Sequence, residues 1–96
     1  MEYLIIDAAL NGTGIRDKYN GGYLDPKALG ISFSTITRLN EWLLRYEYEH
    51  YNGFNDNNSI DELDKEGECI AQIVKQEMLD VKVEYYSAAR CVKLDI

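Results

Sequence analysis

The stretch SIDELDKEGECIAQIVKQEM at residues 59–78, followed closely by Val81-Lys82-Val83-Glu84-Tyr85, decides the fold. Within it Ile60, Leu63, Gly67, Ile70, Val74 and Met78, with Ala71 beside them, recur at the spacing of one helix face. Ser59-Ile60-Asp61-Glu62 has the form of a capping box: the serine hydroxyl accepts from the third amide while the glutamate reaches back to the cap. The helix is therefore expected to start at Ser59. Gly67 costs about 1 kcal/mol in a helix interior, so it either permits close contact with a neighbouring element or is tolerated slack. Residues 81–85 then alternate apolar and charged side chains, as a half-solvated strand does.

Working outward, Ser32 or Ser34 offers a helix N-cap. Behind it Ile36, Leu39, Leu43 and Tyr46 form a second stripe, with Trp42 alongside, and Asn52-Gly53 supplies a stop just past His50. Phe54-Asn55-Asp56-Asn57-Asn58 reads as a polar loop with one exposed aromatic. Glu2 to Leu10 is short, apolar and bounded by Asn11-Gly12, the pattern of a buried strand. Residues 11–30 carry repeated turn signals and are expected to form one long connection. Ala89 to Ile96 can supply a last strand. The order strand, loop, helix, helix, strand, strand predicts an α/β (α+β) fold. Two amphipathic helices would pack on one face of a small two- to three-stranded sheet. Ninety-six residues make a single domain, 1–96.

The formal net charge is -7, and its distribution is uneven. Residues 41–80 hold eleven acids and three bases, whereas residues 1–40 are neutral. Between Glu47 and Glu68, eight acids face the single base Lys65. Such a balance argues against a nucleic-acid backbone as ligand, since phosphate binding needs clustered cations. It fits either a solvated helix face or a surface that steers a basic protein partner. No apolar run has the length of a membrane span, and Met1-Glu2-Tyr3 is unlike a secretory n-region. Cys69 and Cys91 cannot make a disulfide framework, so a cytoplasmic location is expected.

Catalytic motifs are weak. His50 is the sole histidine, and neither cysteine sits in a recognisable nucleophile context. Residues 56–67 fail as a calcium loop because Ile60 and Gly67 occupy ligand positions. Gly12-Thr13-Gly14 lacks the rest of a phosphate-binding loop. The expectation is no catalytic residue, no metal and no cofactor. The remaining constellation is aromatic and acidic. Tyr48 and Tyr51 lie off the core stripe, are interleaved with Glu47 and Glu49, and lead into Phe54. Tyrosine anchors among carboxylates suit a contact with a basic protein. The predicted partner-binding set is Glu47, Tyr48, Glu49, Tyr51, Phe54, Asp56, Asp61, Glu62 and Asp64. The alternative for these rings is cover for a sheet edge or for the long loop.

Three segments together resemble a known group. They are Leu24-Asp25-Pro26-Lys27-Ala28-Leu29-Gly30-Ile31-Ser32, then Leu39-x-x-Trp42 with Tyr46, then Asp64-x-Glu66-Gly67-x-x-x-Ala71 ending in Val83-x-Tyr85. Over roughly residues 23–86 the chain is similar to small acidic bacterial proteins that look like immunity proteins of polymorphic or contact-dependent growth-inhibition toxin systems. The resemblance implies a cytoplasmic, non-enzymatic inhibitor whose partner is the C-terminal domain of a cognate toxin, of which a basic nuclease is the expected kind. It transfers no site residue, because the shared motifs determine the fold and not an action. A small adaptor or subunit of a larger assembly, and a carboxylate-based metal-dependent enzyme, are the competing readings.

Overall fold

A computed structural model describes residues 2–78 and 80–96. Met1, which enters the reading of the first residues, lies outside them. The elements are β1 (Glu2–Asp7), β2 (Ile15–Asp17), α1 (Phe33–Tyr51), α2 (Asn57–Glu77), β3 (Val81–Ser87) and β4 (Val92–Asp95). Four strands form one sheet in the order β2-β1-β3-β4. The central pair β1 and β3 is parallel, with Leu4 opposite Val83 and Ile6 opposite Tyr85. Both flanking pairs are antiparallel. A parallel central pair requires a long crossover, and α1 and α2 provide it. The fold is α+β, as expected, with one strand more than expected.

The extra strand is β2, inside the segment read as a loop. Three residues are too few to show a period, and their partner β1 lies before a turn. The turn is held by Gly14: its φ of +94° suits glycine, and a Cβ there would come within 2.7 Å of the Leu39 side chain. Ile15 then enters the core while Arg16 pairs with Asp7 on the opposite face at 3.1 Å.

Ser32 caps α1 through its hydroxyl, which accepts from the Thr35 amide. The buried face of α1 is Thr35, Leu39, Trp42, Tyr46 and Glu49, with Ile36 and Leu43 only half-buried. It is rotated from the expected stripe because Trp42 is a core anchor, fully buried and donating from Nε1 to the Leu63 carbonyl at 2.8 Å.

Asp56, not Ser59, caps α2. Its carboxylate accepts from the amides of Asn58 (3.0 Å) and Ser59 (3.3 Å), and the Ser59 hydroxyl donates back to it. The capping-box expectation fails because a carboxylate three residues earlier satisfies the free amides first. The predicted inward stripe of α2 is buried from Ile60 to Val74. Gly67 is required there: a Cβ would lie within 2.7 Å of the Tyr85 ring and 2.9 Å of Trp42. Of its two readings, the close approach holds.

The helices cover the sheet face bearing Leu4, Ile6, Ile15, Val83 and Tyr85. Among the described residues no helix covers the other face, yet Glu84 and Asp7 are buried on it. Glu84 accepts from the Tyr3 hydroxyl at 2.5 Å and from Lys18 at 2.7 Å, and Lys18 also sits over the Tyr3 ring. These long side chains fold down over the strands, so β3 is less solvated than its alternating pattern suggests.

Candidate protein-binding surface

The nine side chains singled out in the sequence fall into three groups. Tyr48 and Tyr51 stand on the outer face of α1, directly away from the core, 66% and 76% exposed. Leu44, 67% exposed, precedes Tyr48 by one helical turn and Tyr51 by two, so Leu44, Tyr48 and Tyr51 form an i, i+4, i+7 apolar stripe facing solvent. Glu41 lies beside this stripe. Glu47 lies on its other side and also lines a shallow groove of about 190 Å³ with Leu43 and residues 8–12.

Glu49 and Phe54 do not join that surface. Glu49 is seven residues after Trp42, on the same helix face, and is buried with it. Phe54 turns back at the end of α1 through a left-handed residue at Gly53 (φ 72°), and its amide bonds to the Glu49 carbonyl at 3.0 Å. Its ring packs on His50 at 4.7 Å and Tyr46 at 6.1 Å. His50 in turn contacts the Ala8 carbonyl. The expectation of an exposed Phe54 is corrected: a positive φ at Gly53 redirects the chain inward.

The acids of α2 are divided between its two flanks. Glu66 faces α1, where Arg38 grips it through two hydrogen bonds and holds its carboxyl below the usual glutamate range. Asp61 and Asp64 face the β3–β4 hairpin, where Arg90 bonds to both, at 2.5 and 2.6 Å. Asp64 is largely buried and also accepts from Tyr46, Tyr85 and Ser87. Burial first, then the bond to Asp64, pushes the Tyr85 hydroxyl far above its ordinary range. Asp56 serves as the α2 cap, and its accepted bonds from Ser59 hold it low. Glu62 remains exposed. The structure thus brings Glu47, Tyr48 and Tyr51 together, places Asp61 and Asp64 on another flank, and gives Glu49, Phe54, Asp56 and Asp64 internal tasks.

Leu44 and Glu41 were not singled out in the sequence. The signal was present: Leu44, like Phe33 at the start of α1, fits neither edge of the inward stripe, and it is in phase with Tyr48 and Tyr51. Among the described residues, no group of three or more His, Cys, Asp or Glu is placed to hold a metal ion. Nor, among the described residues, is any helix long and apolar enough to cross a membrane. No protein-family model matches the chain, and no curated protein matches it.

Proposed function

We propose that this chain is a non-catalytic binding protein that neutralises a cognate toxin domain in the cytoplasm, using the outer face of α1 as its contact surface. The observation that carries the reading is the stripe Leu44, Tyr48 and Tyr51, exposed together and framed by Glu41 and Glu47. Two tyrosines and a leucine left exposed together supply rigid contact area, and the adjacent carboxylates select a cationic partner. The chain's overall -7 charge adds long-range attraction to a basic domain, so association is fastest at low salt. Inhibition would be stoichiometric, by covering the partner's working surface.

The test is co-purification and calorimetry with the product of the adjacent upstream gene. Wild-type protein is expected to form a one-to-one complex and to suppress the toxin's activity. Tyr48→Ala with Tyr51→Ala should weaken binding by at least about 100-fold, the loss of two interface anchors at about 1.4 kcal/mol each. Glu47→Lys should mainly slow association, and less so as salt rises. Binding that ignores all three changes would remove the α1 face from the reading.

A further inference from the structure

The two edges of the sheet are not alike. On the outer side of β2, the chain that follows folds back: Asp17 donates to the Gly22 carbonyl at 2.9 Å and Leu24 to the Ile15 carbonyl at 2.9 Å. That edge is closed. The outer side of β4 carries no such cover among the described residues. Ile96 donates to the Val83 carbonyl, and the antiparallel register sets Leu94 opposite Tyr85 and Val92 opposite Ser87. By the alternation of an antiparallel ladder, Val92, Leu94 and the Ile96 amide are directed at β3, and Lys93 and Asp95 direct their backbone groups outward, while the Ile96 carbonyl accepts from Lys75 Nζ at 2.6 Å. The side chains alternate too. Leu94 shares the helix side of the sheet with Tyr85, whereas Lys93 and Asp95 share the open face with Tyr86 and Glu84.

Val92 and Leu94 are large apolar residues left 48% and 41% exposed on this edge. They line a groove of about 300 Å³ between β4 and α2, together with Asp61, Asp64, Tyr85 and Arg90. An open edge strand beside an uncovered apolar groove is a template for another strand.

We infer that β4 pairs antiparallel with β4 of a second copy of this chain, centred on Leu94, to join two sheets into one of eight strands. The five residues 92–96 are complementary to themselves in that register. Leu94 faces its own copy across the two-fold axis, and Val92 faces the partner's Ile96, so every contact on the helix side is apolar. On the open face, Lys93 of each copy faces the partner's Asp95, which gives two opposite-charge pairs. The backbone agrees with the side chains. Lys93 and Asp95 hold the outward amides and carbonyls, so they fall at hydrogen-bonded sites, and Leu94 falls at the closer non-bonded site, where side chains touch most. Within a single chain these charges are poorly matched: Asp95 sits opposite Glu84 in the ladder, and neither Lys93 nor Asp95 has an ion-pair partner among the described residues. A second copy supplies the missing cation. Registers shifted by one residue fail, since centring on Lys93 opposes two lysines. The symmetric interface closes on itself and does not propagate. It lies on the flank of α2 away from α1, so both surfaces can be used at once.

Sedimentation equilibrium of the full chain tests this. The expected result is a mass near twice 11.1 kDa at high concentration, with a Kd on the order of 10–100 µM for so short a strand pair. Leu94→Lys should give a monomer with an unchanged circular dichroism spectrum. Lys93→Glu and Asp95→Lys should each weaken self-association at least about tenfold by turning both charge pairs repulsive. The double variant K93E/D95K should recover it, and an equimolar mixture of the two single variants should form heterodimers. These surface changes decide the matter even if Leu94→Lys unfolds. A wild-type monomer at about 1 mM, or a dimer indifferent to the charge exchange, overturns the inference.

Discussion

Asp64 illustrates how one side chain can hold three parts of a molecule together. Its two oxygens accept from Tyr46 on α1, from Tyr85 and Ser87 on β3, and from Arg90 in the following turn. Arg90 is anchored from its other side by Asp61. Replacing Asp64 by alanine takes the shared carboxylate away from three hydroxyls in a mostly buried space and leaves Arg90 only its bond to Asp61. The expected loss is about 3 kcal/mol, a Tm fall on the order of 15 °C in a domain this size. Arg90→Ala removes only an exposed donor, so differential scanning calorimetry should show a far smaller drop. Equal effects of the two variants would mean that the network is held from its solvent side. In sequence Asp64 looks like any other acid in an acidic run. Its role depends on Tyr85 and Ser87, more than twenty positions away, and no local pattern carries that information.

At the scale of elements, the inward stripe of α2 is where local pattern and final structure agree. Gly67 is the sharpest case. In an isolated helix, Gly67→Ala would be favourable by about 1 kcal/mol. Here the added methyl meets the rings of Tyr85 and Trp42, so overpacking should win and the variant should be less stable by about 1–3 kcal/mol in urea denaturation. A gain in stability would show that the rings can move aside at no cost. The elements that escaped the sequence did so for physical reasons. β2 spans 1.5 periods of a strand pattern and exists because β1 offers it a ladder. The start of α2 moved to Asp56 because a carboxylate competes better for free amides than a hydroxyl further along. α1 rotated because a tryptophan needs both space and an acceptor, and a count of apolar positions weighs it no more than an isoleucine. That rotation is what buried Glu49. The exposed tyrosines, by contrast, were legible, because they fall outside either version of the inward stripe.

For the molecule as a whole, the acidic composition has consequences for pH. Glu66 is held low by Arg38. Glu84 and Glu77 are pushed up by burial, but hydrogen bonds overcome it: Lys18 and Tyr3 for Glu84, Thr35 and Ser32 for Glu77. All three carboxyls therefore sit lower in the folded chain than in the unfolded one. The unfolded state binds more protons, so this part of the stability is present above the ordinary glutamate value of 4.5 and is lost as pH falls below it. Thermal melts should show Tm level from pH 7 to about 5 and falling steeply below about 4.5. Glu77→Gln, which weakens the tie between the end of α2 and the start of α1, should flatten that fall. A Tm that rises on acidification would mean that relief of the -7 self-repulsion outweighs these bonds.

Trp42 has a practical consequence of its own. It is the sole tryptophan, fully buried, edge-on to Tyr46 and hydrogen-bonded to the Leu63 carbonyl. Its intrinsic emission therefore reports on the interior alone: blue-shifted while the chain is folded, red-shifted once water reaches the indole. A ligand landing on α1's outward stripe or a neighbour joining at the sheet margin would leave that colour unchanged. One fluorimeter cuvette can thus separate a variant that has lost its shape from one that has lost only a surface.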